Sequence, residues 1–249
     1  EEIQTLATTG ANRIYASLDQ IPVYLQHAFV AIEDERFYKH NGIDLQGIMR
    51  AAMITVSDGE MSQGASTITH QLLKNNVFNA YNESTMEKIK RKVQEQYLAI
   101  KLETVMDKDS ILENYLNTIN LGNGYYGVQA AANGYFNKDV SELTLSECAV
   151  LASITKNPSR LNPLKNPQKN QKRRDKVLKN MLKQGYIDQA AYDEAMADDV
   201  YARLEGIDVS AAASSSNYSY FVDEVINQLI DDLMQQKGYS KQQATSMIY

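Results

Sequence analysis

Three short blocks of the chain hold residue types that can work together on an oxygen-rich substrate. The first is Glu33-Asp34-Glu35-Arg36-Phe37-Tyr38-Lys39-His40-Asn41-Gly42-Ile43-Asp44, in which Glu33 closes an otherwise apolar helical segment. A carboxylate partly withdrawn from water at such a place suits general-base work, although an ordinary acidic helix end has the same look. The second block is Gln63-Gly64-Ala65-Ser66-Thr67-Ile68-Thr69-His70-Gln71-Leu72-Leu73-Lys74-Asn75. Its glycine, hydroxyls, amide and lysine could line an anion site at a helix N-terminus, where backbone N–H groups lack partners; a plain loop-to-helix cap is the alternative. The Walker A spacing is absent. The third block is Arg91-Lys92-Val93-Gln94-Glu95, where Arg91 and Glu95 are four apart and share a helix face. Alone it reads as a surface ion pair of small worth. With Glu33 close in space, it would set two carboxylates beside a cationic wall. That arrangement suits transfer at a sugar carbon, a carboxylate deprotonating the attacking hydroxyl while cations neutralise a phosphate leaving group.

The elements that must position these blocks are helical. Pro22 can open a helix over Val23 to Phe37, with Leu25, Phe29 and Ile32 on one face. Asp44 is a plausible N-cap for a helix carrying Leu45, Ile48, Met49, Ala52, Met53 and Val56, stopped by Ser57-Asp58-Gly59. A short helix is expected to run through Lys74, and Asn75 to Glu83 reads as a polar, mobile loop. Ser84 to Glu87 forms a capping box for the longest helix, about 85–105, whose apolar stripe is Ile89, Val93, Tyr97 and Ile100. Asp109 or Ser110 should cap a helix over Ile111 to Thr118. Gly122, Gly124 and Gly127 break the chain before an Ala-rich helix over Val128 to Phe136. Thr144 to Glu147 is a second capping box, for a helix reaching about Ile154. Asn166, Pro167 and Gly185 bracket another helix as cap, first residue and C′ glycine. A short helix near Asp188 to Met196 follows, then a linker at Ala211 to Asn217 and a last helix at about Tyr220 to Gln236. Few stretches alternate as strands do, so the fold is read as mainly α.

Composition narrows the function. The 249 residues are 43% hydrophobic, with 12 glycines and 4 prolines, which suits a folded chain rather than a disordered or fibrous one. A net charge of -6 argues against a bulk nucleic-acid binder. The run Lys165 to Lys183 holds eight basic residues and one acidic one, and a solvated helix face explains it more simply than attraction to phosphate. One cysteine, Cys148, excludes a disulfide scaffold or a Cys-based zinc cluster, and it reads as a packed small residue. The longest strictly apolar runs, Ala28 to Ile32 and Cys148 to Ala152, are too short to span a bilayer. Ser153-Ile154-Thr155-Lys156 matches the SxxK pattern of acylated-serine enzymes, but no SxN triplet stands near a suitable spacing and KTG is absent.

Together the three blocks resemble the peptidoglycan glycosyltransferase domain, glycosyltransferase family 51, found in class A bifunctional penicillin-binding proteins and in monofunctional transglycosylases. Residues 33–44 follow its EDxxFxxHxGxD element. Gly64, Ser66, Thr67, Thr69 and Gln71 follow GxSTxTxQ, with Lys74-Asn75 behind, and Arg91, Lys92 and Glu95 follow RKxxE. Residues 111–117 follow ILExYLN. Ala131-Ala132 with Tyr135-Phe136, Pro158 with Asn162-Pro163, and Arg173-Arg174 with Val177-Leu178 keep to the later pattern. The position before Gln71, commonly Gln in the family, is His70 here, with little effect expected. The resemblance covers roughly residues 20–196.

What the resemblance implies is specific. The fold would be lysozyme-like and two-lobed, a large head lobe with a small membrane-proximal jaw at about residues 41–85. The glycosyltransferase domain would occupy residues 1–205, and residues 206–249 would be a linker and the start of an inter-domain or transpeptidase region. Glu33 would be the catalytic base and Glu95 a second essential carboxylate, which would orient substrate or help hold a divalent cation (Mg or Mn) near the diphosphate. Lys74, Arg91 and Lys92 would contact the diphosphate, with Ser66, Thr67, Gln71 and Asn75 lining the cleft. Asp34, Phe37, His40, Gly64 and Thr69 would shape the site. The substrate would be lipid II and the growing lipid-linked glycan, transferred with inversion and release of undecaprenyl diphosphate; neither a nucleotide nor a nucleic acid is implied. Moenomycin-type inhibitors, a membrane surface at the extracytoplasmic face of a bacterial cell, and a transpeptidase domain in the natural protein are also implied. The chain opens on Glu1-Glu2 without an initiator Met and holds no transmembrane helix, so a piece of a longer protein is expected. Exposed apolar residues such as Met49, Met53 and Met61 would then meet the lipid. A lysozyme-like muramidase or lytic enzyme and a non-catalytic wall-binding module are the competing readings.

Overall fold

The structure, a computed structural model, describes residues 12–49, 66–77, 85–204, 231, 233–235 and 238–240. It is mainly α. Among the described residues the complete α-helices are α1 (Val23–Glu33), α2 (Ile68–Asn76), α3 (Thr85–Val105), α4 (Lys108–Thr118), α5 (Val128–Phe136), α6 (Leu145–Ile154), α7 (Pro167–Lys183) and α8 (Gln189–Ala197). Residues 45–49 are also helical, and three 3-10 turns lie at Phe37–Lys39, Val140–Glu142 and Val200–Arg203. Among the described residues, strands are confined to β1 (Asn12–Arg13) and β2 (Tyr125–Tyr126). No described helix is long and apolar enough to cross a membrane. Residues 13–207 form one compact unit, and residues 1–12 with 208–249 form another. In the latter, Gly238 adopts φ +69 and its N–H reaches the Met234 carbonyl at 3.1 Å, as a helix stop does. Residues 231 and 233–235 of that expected last helix are helical; its remaining residues, the linker, Met53, Met61, Gly64 and Ser84 lie outside the described residues.

The first unit is built around α6. Every residue from Ser146 to Ile154 is buried, and an Ala-rich helix without a polar stripe is what such a position selects. Thr144 and Glu147 close the expected capping box at its start. The helices α1 and α7 pack on α6, with α8 against α7. A second group forms where α2 packs on α3 and α4. The two groups meet at the C-terminal end of α1.

Three local expectations change. Helix α1 stops at Glu33 rather than Phe37, because Asp34 leaves the helical region at φ -155 and turns its carboxylate toward α2. Helix α4 starts at Lys108, since the Asp107 carboxylate, not Asp109 or Ser110, takes the orphan Ser110 N–H at 2.7 Å. In α3 the apolar row faces outward: Val93, Tyr97 and Ile100 are exposed, while Glu95 and Ala99 are buried. Gly42 explains the inversion. Its φ of +86 and missing Cβ let its backbone lie against the α3 backbone at Ala99, where a Cβ would come within 2.7 Å of the Ala99 carbonyl. The face of α3 turned inward is therefore chosen by close backbone approach and by the ion pairs of Glu95.

The basic run on α7 also corrects its simplest reading. Arg174 is buried, paired with Asp175 at 2.7 Å and set over the Tyr201 ring, and Arg173 turns toward α1. Lysines of the run stay in solvent, as at Lys169, Lys172 and Lys179.

Behind α6 lies an ionic clamp. Buried Glu147 is matched by Lys138 at 2.9 Å and Arg203 at 3.0 Å. Arg203 also grips Asp198 through two bonds of 2.6 Å, and the Ser146 hydroxyl donates to the same carboxylate. The Arg203 hydrogen bonds foremost hold the Asp198 carboxyl down at about 2. A carboxyl depressed in the folded state contributes stability that is present above its unfolded value, near pH 4, and is lost as pH falls through the folded value. Melting temperature followed from about pH 5 to about pH 2 should therefore fall more steeply in the wild type than in Arg203→Met, the two converging at the acid end. Parallel curves would contradict this role.

Candidate active site

The junction between the two helical groups is organised by Asp34. Its carboxylate, 6% exposed, accepts the Ile68 N–H of α2 at 3.0 Å and pairs with His40 Nε2 at 2.9 Å. An anion at a helix N-terminus is favourable because the first-turn N–H groups have no helical partners. Thr67 caps the same helix, accepting the His70 N–H at 3.2 Å and donating to the Gly42 carbonyl at 2.8 Å. His70 closes the box by accepting the Thr67 N–H on Nδ1 at 3.2 Å, the place Glu or Gln fills in the usual version. Asp44 caps the helical residues 45–49 as expected and is held to Arg36 at 3.1 Å.

Glu33, one residue earlier, lies where the groups meet, with 13% of its side chain exposed. Its Oε1 accepts from the Thr155 hydroxyl and from Arg173 Nη2 at 3.2 Å, and its Oε2 accepts from Gln71 Nε2 at 2.9 Å. Gln71 is fixed in turn by the Tyr115 hydroxyl, which donates to its side-chain oxygen at 3.1 Å. Burial, above all, pushes the Tyr115 hydroxyl well above its ordinary pKa, so it stays a donor. This chain of bonds sets the Gln71 amide toward Glu33. A carboxylate offers about four lone-pair directions, and the three donors leave one on Oε2.

Glu95 is 1% exposed and is held within its own helix by Arg91 and by Lys92 at 2.7 Å. Burying a carboxylate is costly unless it is paired and hydrogen-bonded, and here both oxygens are engaged. Lys92 keeps half of its side chain in solvent. Beside the pair lies a cleft of about 230 Å³ lined by Ile48, Ser66, His70, Lys92, Glu95 and Gln96.

The sequence blocks thus converge, though with divided roles. Ser66, Lys92 and Glu95 line the cleft, while Lys74 and Asn75 are exposed on the last turns of α2. Thr67, Asp34 and His40 are buried framework, and Phe37 is fully buried. Thr155 and Arg173 were not assigned to Glu33 from sequence. Thr155 sits inside the SxxK look-alike, whose Ser153 is buried and donates to the Val150 carbonyl, and Arg173 sits inside a run that reads as solvated. Helical spacing gave no pointer to either. Cys148 is packed within α6, where burial pushes its thiol far up.

Residues 1–182 match the family described as Transglycosylase. The chain is 48% identical over 184 residues to penicillin-binding protein 1A of Aquifex aeolicus, covering 74% of this chain and 25% of that protein. It is 45% identical over 201 residues to penicillin-binding protein 1A of Escherichia coli, covering 81% and 23%. With penicillin-binding protein 1F of Bacillus subtilis the identity is 40% over 231 residues, covering 93% and 31%. The chain therefore spans roughly a quarter to a third of the length of these curated relatives. A crystal structure of penicillin-binding protein 1A from Haemophilus influenzae aligns at a TM-score of 0.47 and 26% identity, over 94% of this chain and 23% of that one.

Underneath the junction, Thr69 donates its hydroxyl to Glu103, which also pairs with Lys108 at 2.7 Å. Lys108 lies over the Phe37 ring, 4.4 Å from its centroid. This buried stack joins α2, α3 and α4 to the turn that follows Glu33. Thr69→Val keeps the shape and removes the donor, and bonds to charged groups contribute about 1.5–3 kcal/mol. Urea denaturation should show a loss of that size; a loss under about 0.5 kcal/mol would contradict the assignment.

Proposed function

The chain belongs to the transglycosylase family, and from that premise we propose that it is a peptidoglycan glycosyltransferase, polymerising lipid II into glycan strands by inverting transfer with release of undecaprenyl diphosphate. The observation that carries the reading is the setting of Glu33. Thr155, Arg173 and Gln71 hold its carboxylate in one orientation and leave a lone pair of Oε2 to meet a hydroxyl. In the proposed step that lone pair takes the proton of the acceptor GlcNAc 4-hydroxyl as its oxygen attacks C1 of the donor MurNAc. The C1–O bond to the diphosphate breaks, and negative charge grows on the departing lipid diphosphate. Preorganised cations stabilise such charge most in a cleft with little water. Lys92 at the cleft, Arg91 on the same helix and Lys74 at the exposed end of α2 are the proposed cations.

Ser66 and Gln71 would orient sugar and phosphate oxygens, with Thr67 acting through the helix it caps and Asn75 at the rim. Glu95 would fix the orientation of Arg91 and Lys92. Its two oxygens are engaged by those cations, so a divalent ion bound there would share the carboxylate with two positive charges, and no step here runs through a divalent ion. The exposed row Val93, Tyr97 and Ile100, with Leu45 and Met49, supports a lipid-facing side for the undecaprenyl chain and the membrane surface. Work at the extracytoplasmic face of the membrane, a transpeptidase region in the natural protein and sensitivity to moenomycin-type inhibitors belong to the same proposal.

The test is gel-resolved polymerisation of labelled lipid II in detergent with a divalent cation, comparing the wild type with Glu33→Gln. A glycan ladder is expected from the wild type and a rate at least about 100-fold lower from the variant, the usual scale for a lost general base. Ladders of equal intensity would remove Glu33 as the base. Cleavage of preformed glycan without polymerisation would identify a lytic enzyme instead.

A further inference from the structure

His70 occupies the position that the family motif leaves unspecified. Its ring is 4% exposed, and Nδ1 accepts the Thr67 N–H at 3.2 Å. An accepting Nδ1 is unprotonated, so the ring is assigned as the neutral tautomer with its proton on Nε2. The charged and titratable groups facing the ring are Lys92 and Glu95 of α3, with Asp34 and His40 beyond the cap. Burial first and Lys92 next hold its pKa below the ordinary histidine value, against the opposing pull of Glu95 and Asp34. The ring is therefore a neutral donor at pH 7.

That donor is unsatisfied. Nε2 is buried and has no hydrogen-bond partner among the described residues, an arrangement that costs free energy unless something completes it. The ring lines the 230 Å³ cleft, with Ser66, Lys92, Glu95 and Gln96 around it. The two Glu95 oxygens are held by Arg91 and Lys92, and neither lies within hydrogen-bond distance of His70 Nε2. Beside the Glu95 carboxylate, whose charge Arg91 and Lys92 neutralise, the cleft offers a hydroxyl, an amide, an ammonium and an imidazole N–H, a donor set that matches an oxyanion.

We propose that His70 is a substrate-binding residue, its Nε2–H donating to a phosphate oxygen of a lipid-linked diphosphate held between it and Lys92. The assignment rests on the glycosyltransferase reading for the lipid-linked source and on the unpartnered nitrogen for the contact itself. Oxygen of a bound diphosphate would supply the acceptor that the folded chain lacks at this point. The same residue then has two duties, Nδ1 capping α2 and Nε2 reading the ligand, which ties the cap geometry to recognition. Glutamine can serve both duties through its oxygen and its amide N–H; methionine fills the space and serves neither.

The experiment titrates the wild type, His70→Gln and His70→Met with inorganic pyrophosphate and, separately, with lipid II in detergent. Histidine side-chain nitrogens of the wild type are followed by long-range proton–nitrogen correlation. The expected result is an Nε2-protonated His70 whose Nε2 resonance moves on adding pyrophosphate. About tenfold weaker binding of both probes is expected for His70→Met, the scale of one lost hydrogen bond to a charged group, and within about threefold of wild type for His70→Gln. A purely structural cap would leave the Nε2 resonance unmoved by ligand. An unmoved resonance, equal affinity of wild type and His70→Met, or a folded His70→Gln as weak as methionine would overturn the proposal. Weakening toward pyrophosphate alone would also overturn it, assigning a free diphosphate in place of the lipid-linked one. If these binding results hold while the wild type forms no glycan ladder, the contact stands and the polymerase reading fails, so the two failures are distinguishable.

Discussion

The architecture of the site depends on one buried carboxylate. Asp34 bonds the first N–H of α2 and pairs with His40; this anion joins the end of α1 to the start of α2. Neighbouring Glu33 is thereby directed toward Gln71, while Thr67 and His70 are set above the cleft that Glu95 and Lys92 border. Two adjacent acids divide the labour: the buried one builds, and the other keeps a lone pair for chemistry. The division follows from backbone direction, since the break at Asp34 sends successive side chains to different neighbours.

Glu95 illustrates the opposite use of charge. A carboxylate at 1% exposure demands cations, and Arg91 and Lys92 supply them from the same helix, four and three residues away. Those cations are oriented by the acid they neutralise and remain beside the cleft, where Lys92 still reaches solvent. The price is an outward apolar row on α3, which a purely water-facing helix would not keep.

Much of this is legible in the sequence. Capping residues and glycines locate α5, α6 and α7 because their signals are local, as with Thr144 and Glu147 or Pro167 and Gly185. The three motif blocks also identify which residues gather. The orientation of α3 was not legible, because periodicity states that a row is apolar and not which side a neighbouring backbone will approach; Gly42 decides that from more than fifty residues away in sequence. Thr155 and Arg173 escaped for the same reason. Their partner Glu33 is 122 and 140 residues distant, and neither sits in a pattern that a helix or turn requires. The end of α1 is hidden in the sequence because Asp34 looks like one more helical residue until α2 is packed against it.

The most direct test of this account is amide hydrogen exchange at Ile68 in the wild type, Asp34→Ala and Glu33→Gln. If Asp34 organises the junction, Ile68 and the first turn of α2 should be protected in the wild type and in Glu33→Gln. In Asp34→Ala they should exchange at least about tenfold faster, as expected for an opening made easier by one charge-assisted bond. Equal protection of Ile68 in all three proteins would contradict it.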